Sequence, residues 1–304
     1  MPMVNNMENI INKILQKENI TLYQLQKSSS GFTNQVYFIN DDMVIKLTND
    51  ADTIKQLRKE TNIYQNLHLD FIPKYISSGN IDNTEYLIIS KLSGNALYSI
   101  WHTLTNDIRI DIVKQIAGIL KTINSTNADF FDNNHRDTDW ISMWNTRLTD
   151  RSLSLNNMGY DTTLIDNFIN NYLSKIFKDN TYGLVYNDAH FDNFIYDNGK
   201  VYLIDFDRVR YCPIDYDMMI FKCMCDNPSK FASEVDDPFV KEEDYSMVYD
   251  TFKSTYPELF NLPHFETRLK IYQFNYLMRQ AISITNHTWI TQLLDDFNSF
   301  VELL

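Results

Sequence analysis

The sequence predicts an α+β fold in which a small antiparallel sheet, within residues 1–92, precedes a larger and mainly helical region, 93–304. Short segments that read as strands crowd the first part, at Val36–Ile39, Met43–Leu47, Pro73–Ser77 and Tyr86–Ser90. From Asp107 the apolar period becomes helical, through Ile108, Ile112, Val113, Ile116, Ile119, Leu120 and Ile123. A later tight-turn signal, Asp197-Asn198-Gly199, joins Phe194–Tyr196 to Val201–Ile204 as a hairpin inside the second region.

Along the chain, Ser28–Thr33 is a turn of small hydroxyl residues with a single glycine, ahead of the strand Val36–Ile39. Met43–Leu47 is an apolar strand interrupted by Lys46, whose ammonium needs a partner if the strand is buried. In Thr53–Leu67, the residues Leu57, Ile63, Tyr64 and Leu67 form an apolar face at helical spacing, and Glu60 falls on it. An inward carboxylate is unusual without a partner, so Lys46 and Glu60 are expected to pair. Pro73–Ser77 and Tyr86–Ser90 read as strands joined by a polar hairpin containing Gly79-Asn80 and Asp82-Asn83.

The most informative stretch runs from Val185 to Asp217. It places Asp188 five residues before Asn193, and Asp205 at the end of the apolar strand that closes the hairpin. Asp and Asn are common wherever a chain reverses, so either alone would be a turn residue. The strand-like flanks, Gly183–Tyr186 and Phe194–Tyr196, and the carboxylate at a strand end make the combination specific. Phosphoryl transfer from a nucleotide needs a carboxylate to orient the attacking hydroxyl, and oxygen ligands to hold a metal against the phosphates. Asp188 suits the first task; Asn193 and Asp205 suit the second.

This stretch resembles the catalytic segment of the aminoglycoside phosphotransferase and choline kinase superfamily, small-molecule relatives of the protein kinases. The family pattern is His-Gly-Asp-x-His-x-x-Asn, then Ile-Asp-Phe or Ile-Asp-Trp, then a further Asp about a dozen residues on. Here the residues are Tyr186-Asn187-Asp188-Ala189-His190-Phe191-Asp192-Asn193, then Ile204-Asp205-Phe206-Asp207, then Asp215-Tyr216-Asp217. Tyr186 and Asn187 replace the first His and the Gly, and Asp207 stands where protein kinases have Gly.

The resemblance implies a two-lobed protein-kinase-like fold, with a nucleotide-binding lobe at 1–92, a catalytic and acceptor-binding lobe at 93–304, and the active site between them. It implies that Ser29, Ser30, Gly31, Phe32 and Thr33 cover the phosphates of ATP or GTP, and that Lys46, fixed by Glu60, grips them. Backbone groups of Ser90, Lys91 and Leu92 would bond the base, Asn193 and Asp205 would hold Mg2+, and Asp217 would brace the catalytic loop, where His190 is a structuring residue. A nucleotide-binding regulator without catalysis would lack at least one of Lys46, Asp188, Asn193 and Asp205; all four are present. No Ala-Pro-Glu-type segment follows Asp205, which disfavours a protein acceptor. His135-Arg136-Asp137 spells the opening of a protein-kinase catalytic loop, but position 142 is Ser and no matching hairpin follows, so Asp137 is at most an acceptor-lining residue.

The composition, 44% hydrophobic with 14% aromatic residues in 304, suffices for a sizeable core. No apolar run approaches membrane-spanning length, no signal pattern is evident, and three cysteines (Cys212, Cys223, Cys225) read as reduced thiols, so a cytoplasmic enzyme is expected. A net charge of −13 argues against nucleic acid or an anionic membrane as partner. Between Asp226 and Asp250 eight carboxylates face two lysines, which reads either as a solvated surface or as an attraction for a cationic hydroxyl acceptor such as an aminoglycoside. The rival acceptor, choline or ethanolamine, would use aromatic faces at Trp140, Trp144, Tyr276 and Trp289. Asp207 is a further candidate for the metal site or the acceptor.

Overall fold

The computed structural model describes residues 2–28, 35–131 and 139–304, with side chains from residue 7 onward. Its elements are α1 (Pro2–Lys17), β1 (Leu25–Lys27), β2 (Gln35–Ile39), β3 (Met43–Thr48), α2 (Ala51–Asn66), β4 (Tyr75–Ile81), β5 (Thr84–Ser90), β6 (Asn95–Ala96) and α3 (Leu97–Ile100). Then come α4 (Asn106–Ser125), α5 (Trp140–Asn157), α6 (Thr163–Asn171), α7 (Leu173–Ile176), β7 (Tyr182–Val185), β8 (Phe194–Asp197), β9 (Lys200–Leu203) and β10 (Arg210–Pro213). The chain ends in α8 (Met218–Asp226), α9 (Val248–Thr255), α10 (Pro257–Phe260), α11 (Phe265–Ser283) and α12 (His287–Val301). Two compact units result, one of Met1–Leu104 with Phe191–Val209, the other of Thr105–His190 with Arg210–Leu304.

In the first unit a five-stranded antiparallel sheet has the order β1-β2-β3-β5-β4. Strand side chains alternate between faces. Tyr37 and Ile39, Ile45 and Leu47, and Tyr86 and Ile88 accordingly pack as one layer against Ile11, Ile14 and Leu15 of α1. Lys46, between Ile45 and Leu47, must point to the opposite face, where α2 buries Leu57, Glu60, Ile63 and Tyr64. Asp50 caps α2, accepting from the Asp52 and Thr53 amides at 3.2 and 3.0 Å.

The β4–β5 hairpin turns at Asp82 and Asn83, both left-handed (φ 49° and 62°), while Gly79-Asn80 lies inside β4. A Cβ on Gly79 would meet the Tyr86 hydroxyl at 2.7 Å, so this glycine serves close approach rather than a turn. A second small sheet, β6-β8-β9, turns at Asn198 and Gly199 (φ 47° and 85°), as the sequence signal required. Pairing of Asn95 with Tyr196 and Ala96 with Ile195 ties this hairpin to the N-terminal unit, whereas the sequence reading placed everything after residue 92 in the second lobe.

The second unit is mainly helical, built around the buried faces of α4, α5 and α11. On α4 the stripe Ile112, Val113, Ile116, Ile119, Leu120 and Ile123 is buried as its spacing predicts, but Ile108 is exposed. Trp144 stacks on Phe177 with ring centres 5.7 Å apart, and Trp140, Tyr216 and Tyr272 complete the cluster. Each such ring, moved out of water, contributes roughly 1.5–3 kcal/mol. The β7–β10 ribbon lies against α4, where a Cβ on Gly183 would come within 2.4 Å of the Asn124 carbonyl oxygen. Among the described residues no helix is long and apolar enough to cross a membrane.

Candidate active site

In the first unit, β3 and α2 bring the expected pair together. Lys46 Nζ lies 2.7 Å from Glu60 Oε1 and 2.9 Å from Asp205 Oδ1. The same Glu60 oxygen accepts from the Phe206 amide at 3.2 Å, so one buried carboxylate fixes both the lysine and the residue after Asp205. Tyr64, one turn after Glu60, meets Phe206 edge to face at 5.4 Å. Glu60 is fully buried and Lys46 nearly so. Burial alone would lower the lysine pKa, but Asp205 and Glu60 outweigh it and hold the ammonium well above its ordinary value. Burial pushes the Glu60 carboxyl upward, and the lysine pulls it back.

Asn193 and Asp205 sit just outside the β8–β9 ladder that Phe194 and Leu203 close, with the Ile204 amide donating to the Asn193 carbonyl at 3.0 Å. Asp205 is left-handed (φ 63°), a conformation that Asp tolerates better than most residues. Its side chain remains 41% exposed, while Asn193 is buried. Among the described residues no three His, Cys, Asp or Glu side chains cluster as a metal cage. A carboxylate and an amide oxygen are hard donors, which fits a cation such as Mg2+ that keeps most of its ligands as water and phosphate. Asp207, two residues on, is partly buried.

Other nucleotide-site expectations fare unevenly. The Ser90 amide donates to the Lys74 carbonyl at 2.9 Å and the Lys91 amide to the Asp42 carbonyl at 2.7 Å. Those two donors are spent within the unit and are not free for a nucleotide base. Lys91 Nζ lies 4.9 Å from the Phe38 ring centre. Ser29, Ser30, Gly31, Phe32 and Thr33 lie outside the described residues, as do His135, Arg136 and Asp137.

In the second unit, the His190 amide donates to the Asp188 carbonyl at 2.8 Å, and His190 Nε2 lies 3.6 Å from the Asp188 carboxylate. The loop before it is held by Asp217, whose Oδ1 accepts from the Asn187 amide at 2.7 Å. Asp217 Oδ2 accepts from Asn124 Nδ2, also at 2.7 Å, and the same amide nitrogen donates to the Leu184 carbonyl at 2.9 Å. Burial pushes the Asp217 carboxyl up to about 7, against the pull of the Asn187 amide and Asn124. Asn124 escaped the sequence reading although the signal was there: it extends the stripe Ile116, Leu120 by one more turn, a polar residue on a buried face.

The residues proposed to face an acceptor correct the aromatic reading. Trp140 and Trp144 are 1% and 0% exposed and belong to the core, because their rings complete the cluster with Tyr216 and Tyr272. Trp289 already has Lys230 Nζ over its ring at 4.5 Å. Part of the acidic stretch is also structural: Asp244 pairs with Arg109 at 2.7 Å, and Asp226 pairs with Lys222.

A family model described as the phosphotransferase enzyme family, APH, matches residues 24–242. A search of the curated proteins found no match. Among solved structures, the chain is similar to aminoglycoside 2'-phosphotransferase-IIIa in its GDP complex, with TM-score 0.67, 14% identity and 94% and 95% of the two chains covered. It is similar to APH(2")-IIa in its gentamicin complex, with TM-score 0.65, 18% identity and 94% of each chain covered. A choline/ethanolamine kinase family protein from Mesorhizobium loti is more distant, with TM-score 0.57, 12% identity and 92% and 88% covered.

Proposed function

The chain belongs to the phosphotransferase enzyme family, and from that premise we propose that it transfers the γ-phosphate of ATP or GTP to a hydroxyl of a small molecule. The observation that carries this reading is the buried arrangement in which Glu60 holds Lys46 at 2.7 Å and the Phe206 amide at 3.2 Å, with Asp205 on the same lysine at 2.9 Å. In it a cation is preformed for phosphate oxygens, next to a strand end that offers Asn193 and Asp205. Magnesium held there would neutralise the phosphate charge that grows during transfer. Lys46 exchanges Asp205 for the phosphates while Glu60 keeps it in place. Asp188 accepts or orients the proton of the attacking hydroxyl, a role worth about 10²–10⁴-fold. Asp217 positions Asp188 by fixing the loop at Asn187.

Nucleotide complexes among the similar structures support a nucleotide donor, and the gentamicin complex supports a small-molecule acceptor. The test is phosphate transfer with ATP and GTP, in magnesium, across aminoglycosides, choline, ethanolamine, sugars, hydroxy acids and sugar phosphates. Transfer is expected, and Asp188→Ala is expected to abolish it while nucleotide still binds. Near-normal turnover in Asp188→Ala would remove Asp188 from the chemistry.

A further inference from the structure

Three arginines of the second unit stand together, and among the described residues none of them forms an ion pair with a carboxylate. Arg147 and Arg151 are one turn apart on α5. Arg151 Nε donates to Asn275 Oδ1 on α11 at 3.2 Å, and Arg279 follows Asn275 by one turn of that helix. Arg147 Nη1 donates to the Tyr216 hydroxyl at 3.2 Å and its guanidinium lies 5.2 Å from the Trp144 ring centre. Arg279 lies 5.8 Å from the Tyr276 ring centre. Among the described residues no carboxylate forms an ion pair with any of the three, although the chain carries a net charge of −13 and pairs Arg58, Arg109 and Arg268 with acids. Burial and the like charges of Arg279 and Arg147 hold the Arg151 guanidinium below its ordinary value, and Asp150, its neighbour on α5, offsets only part of this.

The cluster is continuous with the catalytic loop. Tyr276 stacks on Phe231 with ring centres 6.5 Å apart, and Phe231 lies 6.4 Å from the His190 ring, which borders the Asp188 carboxylate. Neutral partners and aromatic faces orient these guanidinium groups without neutralising them. Planar guanidinium forks held this way suit the oxygens of a carboxylate or phosphate. We propose that Arg147, Arg151 and Arg279 bind an anionic group, carboxylate or phosphate, on the hydroxyl acceptor. The inference rests on the phosphotransferase reading and deepens it, replacing a cationic acceptor with an anionic one.

The kinetic test compares a hydroxy acid with its amide and a sugar phosphate with the free sugar, which separates carboxylate from phosphate recognition. The wild-type enzyme is expected to favour the anionic member of at least one pair. Arg151→Gln is expected to cut that preference about tenfold, as the loss of one charge-assisted hydrogen bond implies. Preference for aminoglycosides or neutral acceptors over every anionic one overturns the assignment and leaves the phosphotransferase reading standing. Inorganic phosphate is the second probe, read as a rise in Tm that the Arg147→Gln, Arg151→Gln, Arg279→Gln triple variant should lose in large part. An equal rise in both proteins refutes the site whatever the kinetics. No transfer to any acceptor with either nucleotide would defeat the phosphotransferase reading instead, and the phosphate titration would still judge the arginines.

Discussion

Replacing Glu60 tests the core of the site, because its oxygen serves two donors at once. Glu60→Gln can keep an oxygen toward Lys46 Nζ and the Phe206 amide, now at 2.7 and 3.2 Å, and removes only the charge. A hydrogen bond to a charged group contributes about 1.5–3 kcal/mol and a neutral one about 0.5–1.5, so the expected loss is about 1–2 kcal/mol. Glu60→Ala removes the acceptor that both donors share and leaves a buried ammonium without it. Breaking a buried pair costs about 3–5 kcal/mol, and the remaining Asp205 contact at 2.9 Å places this case near the lower end, about 3 kcal/mol. Urea denaturation followed by far-UV circular dichroism, compared at constant slope, measures both. The order alanine worse than glutamine worse than wild type is the prediction. If both substitutions cost less than about 0.5 kcal/mol, the range of ordinary surface changes, Glu60 does not hold this lysine.

Asp217 gives a pH signature. Its folded pKa, about 7, lies above the roughly 3.9 of an unfolded aspartate, so the folded state holds the proton longer. The stability it contributes is therefore greatest below about pH 4 and falls as pH rises to about 7, by up to about 1.4 kcal/mol per unit. Asp217→Asn should flatten the wild-type slope in that window, measured by denaturation at several pH values; an unchanged slope would exclude this carboxyl as its source. Gly183→Ala drives a Cβ to within 2.4 Å of the Asn124 carbonyl and should destabilise by about 1–3 kcal/mol, the usual cost of overpacking. A melting temperature equal to wild type would mean that α4 and β7 separate freely.

What the sequence disclosed depended on whether a local rule had one physical cause. Asp197-Asn198-Gly199 marked its hairpin because few residues accept the left-handed positions of such a turn. Glu60 was legible because a carboxylate on an apolar stripe demands a partner. Gly79-Asn80 misled because glycine answers equally to turns and to close packing, and only the Tyr86 hydroxyl, brought alongside by strand pairing, separates them. The tryptophans were ambiguous in the same way, since core and ligand cage use the same rings. Arg147 and Arg151 gave no signal at all. Two arginines a turn apart look like a solvated helix face until α11 lies against them and, among the described residues, no acid forms an ion pair with either.

The left-handed backbone at Asp205 also limits what heredity can write there. Glutamate offers the same carboxylate, but its longer side chain lacks the local hydrogen bonding that lets aspartate and asparagine adopt positive φ. Glycine accepts the backbone and brings no oxygen. Conformation and chemistry thus draw from two short menus that overlap in only two residues, and the position is constrained once by its dihedral angle and once by the oxygen it presents.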